Sequence, residues 1–186
     1  MPSLINQQFI KAAQNNQIDE LKNLLDRGAD IHADNDKAFR LSAEYGHLET
    51  VKLLFAQGAN VNANDDEALR ESAYCGHLEI VKFLVAQGAN IHANDDGALI
   101  WAAYDGHLET VKFLVAQGAN IHANNDEALK NAASGNNNDV WRVLSAFIQE
   151  EKLLVAAVGG VPLVAASDSM LQTKRPSITK AKRSKI

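Results

Sequence analysis

Four glycines, Gly28, Gly58, Gly88 and Gly118, stand 30 residues apart, and the segments they open are near copies of one another. The first three read GADIHADNDKAFRLSAEYGHLETVKLLFAQ, GANVNANDDEALRESAYCGHLEIVKFLVAQ and GANIHANDDGALIWAAYDGHLETVKFLVAQ. The fourth, GANIHANNDEALKNAASGNNNDVWRVL, loses its glycine-histidine-leucine segment to Asn136-Asn137-Asn138. A weaker copy comes first: Phe9, Ala13, Ile18, Leu21 and Leu24 lie 30 residues before Phe39, Ala43, Leu48, Val51 and Leu54. Such a chain stacks like units, because one unit cannot bury its apolar face alone and a row of them can.

Each unit reads as two helices. The first begins at Asp36, Asp66, Asp96 or Asp126, where a carboxylate can accept from free N–H groups of the first turn. Ala38, Phe39, Ser42 and Ala43 then share one face, and the alanines let a neighbouring helix come close. Gly46, Gly76 and Gly106 mark its end, a place for positive φ. The second helix runs from about His47 to Gln57, with Leu48, Val51, Leu54 and Phe55 on one face. Glu49 precedes Lys52 by three residues, a surface pair repeated as Glu79–Lys82 and Glu109–Lys112. The glutamines and asparagines of the first copy, Gln7, Gln8, Gln14, Asn15, Asn16 and Gln17, give it the polar outer surface of a cap.

These residues resemble the ankyrin repeat family. Gly46-His47-Leu48-Glu49, Val51-Lys52-Leu53-Leu54 and Gly58-Ala59, with their copies, carry the likeness in register over residues 1–149. Two departures stand out. The family's TPLH segment is replaced by sequences such as Asp66-Glu67-Ala68-Leu69, and the repeat is 30 residues long where about 33 is usual. The shortening falls where ankyrins project a β-hairpin finger, so the expected fold is an all-α, ankyrin-type helix-pair solenoid with truncated finger loops. Short Asn/Asp-rich repeats of this kind look like the ankyrin arrays of giant DNA viruses and intracellular bacteria. The expected organisation is a capping repeat over 1–27, repeats over 28–57, 58–87 and 88–117, and a degenerate repeat over 118–149. A helical extension or half-repeat cap follows over 150–172, then a basic disordered tail over 173–186.

Charge is uneven along the chain. Residues 1–149 hold 20 acidic and 11 basic side chains, while residues 150–186 hold 3 and 7. An acidic body disfavours nucleic acid and anionic membranes, leaving only the tail for either. Lys182-Arg183-Ser184-Lys185 resembles a nuclear-import signal, although a solvated tail is the better reading. The longest apolar stretch, residues 153–166, is too short to span a bilayer, and the amino terminus has no signal-peptide pattern. The single cysteine, Cys75, suits a reducing compartment. The cytoplasm is expected, a host's cytoplasm or nucleus included.

Candidate chemistry is sparse. The six histidines form two ladders, His47, His77, His107 and His32, His92, His122. Packed helices lie about 8–10 Å apart, whereas zinc needs ligands about 2 Å from one ion. Both ladders therefore read as repeat features, and neither a metal nor a cofactor is expected. The pairs Asp65-Asp66 and Asp95-Asp96 lack calcium-loop spacing and read as caps on a solvated rim. Cys75 shares a surface register with Tyr45 and Asp105 and is a poor nucleophile candidate. No enzyme is expected.

The informative positions are those that vary among the copies. Arg40, Leu41, Glu44 and Tyr45 become Arg70, Glu71, Tyr74 and Cys75, then Ile100, Trp101, Tyr104 and Asp105, then Lys130, Asn131 and Ser134. A slot that takes Leu, Glu, Trp and Asn in turn is not a uniform core slot, so Trp101 should be partly exposed beside Tyr74 and Tyr104. Trp, Tyr and Arg are the types enriched at binding hot spots. The ankyrin resemblance implies that partners dock on this concave helix-one surface. The candidate binding residues are Arg40, Leu41, Glu44, Tyr45, Arg70, Glu71, Tyr74, Ile100, Trp101, Tyr104 and Asp105. The expected protein is a monomeric, non-catalytic module that binds a protein partner as an adaptor, inhibitor or host-directed effector. The competing expectation is a regulator of nucleic-acid-bound machinery acting through the basic tail.

Overall fold

The structure, a computed structural model, describes residues 3–157. Of the extension or cap expected over 150–172, residues 158–172 lie outside the described residues, as does the basic tail over 173–186. The described residues form ten helices and no strand: α1 (Leu4–Gln14), α2 (Ile18–Asp26), α3 (Ala33–Glu44), α4 (Leu48–Ala56), α5 (Ala63–Tyr74), α6 (Leu78–Ala86), α7 (Ala93–Tyr104), α8 (Leu108–Ala116), α9 (Ala123–Ser134) and α10 (Asn138–Ala157). They pair in the order the repeats require, and no paired finger connects them. The chain divides after Ser145. The first unit is the solenoid-like repeat stack. The second begins within α10, which continues as helix to Ala157.

In the stack α1, α3, α5, α7 and α9 pack side by side in chain order, while α4, α6 and α8 touch one another more sparsely. Alanine explains the closer row: Ala38, Ala43, Ala68, Ala73, Ala98, Ala102 and Ala103 are all buried there. The second helices supply the larger side chains. Leu24, Leu54, Leu84, Leu114 and Leu144 repeat at 30-residue spacing, all buried. Ser42 and Ser72 are buried too, and their hydroxyls donate to Ala38 O at 2.7 Å and Leu69 O at 3.0 Å. The helix's own carbonyls thus satisfy them at little cost.

Each turn from first to second helix is joined to the repeat before it. Gly46 and Gly76 adopt φ of 80° and 74°. The histidine of the next repeat lies against each glycine, and a Cβ on Gly46 would come within 2.7 Å of the His77 ring. That histidine reaches a free carbonyl at the end of the preceding first helix. His47 Nε2 donates to Gln14 O at 3.0 Å, His77 Nε2 to Glu44 O at 2.9 Å and His107 Nε2 to Tyr74 O at 2.8 Å. A carbonyl only accepts, so each Nε2 carries a proton. In the fifth repeat Asn137 takes the same place, with Nδ2 donating to Tyr104 O at 2.7 Å. The histidine ladder is therefore a set of side-chain caps applied across repeats.

The other connector corrects an expectation. Asp36, Asp66 and Asp96 do not cap their own helices. Residues 34–36 have φ of 53°, 57° and 55°, one turn of left-handed backbone, and residues 64–66, 94–96 and 124–126 repeat it. Left-handed backbone costs an L-residue roughly 1–2 kcal/mol, with Asn and Asp the most tolerant types after glycine. All twelve of these positions are Asn or Asp. The turn aims the last aspartate at the following repeat. Asp36 Oδ1 accepts from Asn60 N at 2.9 Å, Asp66 Oδ1 from Asn90 N at 2.8 Å and Asp96 Oδ1 from Asn120 N at 2.7 Å. In the first repeat the amide oxygen of Asn6 does the same for Asp30 N at 2.9 Å. The second histidine ladder steadies these carboxylates, with His32 Nδ1 and His92 Nδ1 each 3.0 Å from the aspartate four residues on.

Candidate functional site

With both ends of α1, α3, α5 and α7 tied to the repeat that follows, the variable slots form a grid whose rows are repeats. Arg40, Leu41, Glu44 and Tyr45 are one row; Arg70, Glu71, Tyr74 and Cys75 the next; Ile100, Trp101, Tyr104 and Asp105 the third. Ile100 is corrected at once. It is only 5% exposed and belongs to the core. Its slot is already largely covered in the other rows, where the Arg40 side chain is 12% exposed. An arginine lies folded across such a slot, and an isoleucine disappears into it.

The arginines are engaged within the stack. Arg40 pairs with Glu67 of the next repeat. It also donates from Nε to Asn35 O at 2.9 Å and from Nη2 to Asp34 O at 3.0 Å, filling the carbonyls of the left-handed turn. The Arg70 stem lies over Gly97, where a Cβ would meet its Cδ at 3.1 Å. With the Asn94 amide turned to offer its oxygen, Arg70 Nε and Nη1 both donate to it at 3.2 Å. Glu67 and Gly97 thus decide where the two arginines go. The sequence reading missed them because it weighed each slot alone; their signal is the change Lys37, Glu67, Gly97 at one register.

The aromatic residues do come together. Trp101 is 44% exposed, Tyr104 46% and Tyr74 37%. The Trp101 ring lies 5.7 Å from Tyr74 at 79° and 5.8 Å from Tyr104 at 77°, both edge-to-face. Tyr45 is also exposed, but it stacks on His47 and its hydroxyl accepts from Gln14 Nε2 at 3.0 Å, so it belongs to a separate group one repeat away. Leu41 and Glu44 are half-buried.

Carboxylates gather around Cys75, the residue next to Tyr74. Partial burial and the neighbouring Glu44 and Glu67 carboxylates push the Glu71 pKa up, and only Arg70 opposes them. Burial, then Glu44, Glu71 and Asp105, push the Cys75 thiol up as well. That thiol is therefore less nucleophilic than a free cysteine. Asp105 Oδ2 lies 3.0 Å from His107 Nε2. Among the described residues neither the Glu44 nor the Glu71 carboxylate has a cation within ion-pair distance. No group of three or more metal-ligating side chains occurs among the described residues, and no described helix is long and apolar enough to cross a membrane.

No curated protein matches the chain. The family model for ankyrin repeats, in three copies, matches residues 9–95 and again residues 92–155. Ankyrin repeats are generally protein–protein interaction modules and typically non-catalytic. The match spans most of the described residues and agrees with the all-helical stack, the glycine-histidine turns and the helix-two leucines. The chain belongs to the ankyrin repeat family.

Proposed function

We propose that this chain is a non-catalytic, monomeric binding module that holds a protein partner against the helix-one face, centred on Trp101, Tyr74 and Tyr104. One observation carries the reading: Tyr74 and Tyr104, from adjacent repeats, both meet Trp101 edge to face, and all three are more than a third exposed. Aromatic clusters left in water are costly to solubility, and burying one in an interface reverses that cost. On the second helices Phe55 and Phe83 meet edge to face but are each half-covered, and the exposed Trp141 of α10 joins no aromatic cluster among the described residues. Arg40 and Arg70 shape the rim by engaging the repeat that follows each of them and are not themselves the contact. The role fits an adaptor, an inhibitor or an effector directed at a host, acting in the cytoplasm.

The test compares wild type with Trp101→Ala against a partner recovered by affinity capture. A hot-spot tryptophan truncated to alanine weakens binding by about 2 kcal/mol or more. The thermal midpoint should move little, since the indole is nearly half exposed. Unfolding of the variant with unchanged affinity per folded molecule would make Trp101 a core residue and overturn the proposal.

A further inference from the structure

The partner's chemistry follows from an imbalance of charge around the aromatic group. Glu44, Glu71 and Asp105 lie in three successive repeats and all act on Cys75, the residue next to Tyr74. The cations nearest to them in the grid, Arg40 and Arg70, are turned into the stack. Arg40 is held by Glu67 and by two turn carbonyls, and Arg70 by Asn94 over Gly97. Lys130, one repeat beyond the buried Ile100, is the next cation in that register. The face thus presents exposed aromatic rings with carboxylates and keeps its own arginine charges inside.

Aromatic π faces and carboxylates attract the same ligand chemistry. A guanidinium or ammonium over a Trp or Tyr ring is drawn by the ring's quadrupole, and a neighbouring carboxylate adds Coulomb attraction. An acidic or phosphorylated segment would meet like charge at Glu44, Glu71 and Asp105, offset only in part by Arg70 near Glu71 and by the His107 ring at Asp105. A purely apolar segment would bury the Glu44 and Glu71 carboxylates without ion-pair partners, which is expensive. Nucleic acid is disfavoured for the same reason as an acidic segment.

We propose that the segment seated on Tyr74, Trp101 and Tyr104 is cationic, with an arginine or lysine of the partner protein placed against the rings and countered by Glu71, Glu44 and Asp105. This rests on the binding-face reading above and adds the partner's charge to it.

The experiment selects short random displayed peptides on the full chain, with the Trp101→Ala protein as counter-selection target. Recovered sequences are then synthesised and titrated. The expected peptides carry an arginine or lysine at a recurring position. Replacing it with citrulline or acetyl-lysine should weaken binding about tenfold, the scale of a desolvated cation–π contact with its counter-charge. Glu71→Gln together with Glu44→Gln should weaken binding about three- to tenfold and flatten its salt dependence. Circular dichroism melts of each variant separate lost binding from lost fold. Neutral or acidic peptides that still depend on Trp101 would overturn the cationic partner and leave the binding face standing. Peptides indifferent to Trp101, or none retained over the counter-target, would overturn both.

Discussion

The second helices of the middle repeats, LETVKLLFA, LEIVKFLVA and LETVKFLVA, differ at three positions, while the four surface slots of the first helices keep only one residue in common between successive rows. The same stack holds both. Leu54, Leu84 and Leu114 fill equivalent fully buried sites, so packing dictates them. Tyr74, Trp101 and Tyr104 stand where packing dictates little. A residue the stack does not specify is free to answer to something outside it, and the two kinds of position should fail in different ways when truncated.

Leucine truncation should give the largest effect on stability. Leu84→Ala or Leu114→Ala should destabilise by about 2–5 kcal/mol, the range for a buried leucine that leaves a cavity. Denaturant titration reads this directly. Trp101→Ala should lose well under half as much. Equal losses at the two kinds of site would erase the distinction between stack and face.

The turns offer a finer comparison. Gly76 and Gly88 both have positive φ, 74° and 95°. A Cβ on Gly88 would meet nothing within 4 Å, whereas one on Gly76 would press into the His107 ring. Gly88→Ala should cost about 1 kcal/mol, for backbone strain alone. Gly76→Ala should cost about 2 kcal/mol, because the His107 bond to Tyr74 O is disturbed as well. Urea midpoints of the two variants that coincide would mean His107 adds nothing across the repeat boundary.

Much of the stack is legible in the sequence because its signals are local. A glycine at a helix end, leucines three residues after a valine, and alanines on one face can each be read inside one repeat. The tie between repeats is not local. Asp36 meets Asn60 N, 24 residues on, and His47 meets Gln14 O, 33 residues back. Single-helix reasoning turns Asp36 into an N-cap, since propensity alone does not reveal a left-handed turn. The clue is register: Asn6 falls 30 residues before Asp36, Asn137 falls 30 after His107, and each keeps the bond with a different side chain. At the face, Trp101 was legible from slot variation. Ile100 was not, because a slot's depth depends on how the neighbouring repeat covers it.

The smallest expected effect is the most discriminating. Glu71 sits on the proposed binding face, yet the stack disfavours its charge. Partial burial and the facing Glu44 and Glu67 carboxylates raise its pKa, and Arg70 only partly offsets them. For an acid with a raised folded-state pKa, the folded chain binds more protons than the unfolded chain between the ordinary glutamate range and the raised value. Stability therefore falls as pH rises through that window and stays lowered above it. At pH 7, above the usual range for a carboxylate, Glu71→Gln should raise the urea midpoint slightly by removing the disfavoured charge. The gain should shrink as pH falls through the window and vanish below the ordinary glutamate range, where Glu71 is protonated in the folded and the unfolded chain alike. The same substitution should weaken a cationic peptide. Stability and binding then move in opposite directions at one residue, as expected of a charge retained for a partner. A midpoint that falls at pH 7, or a gain unchanged at low pH, would mean that Glu71 supports the stack and that its charge is no sign of what docks there.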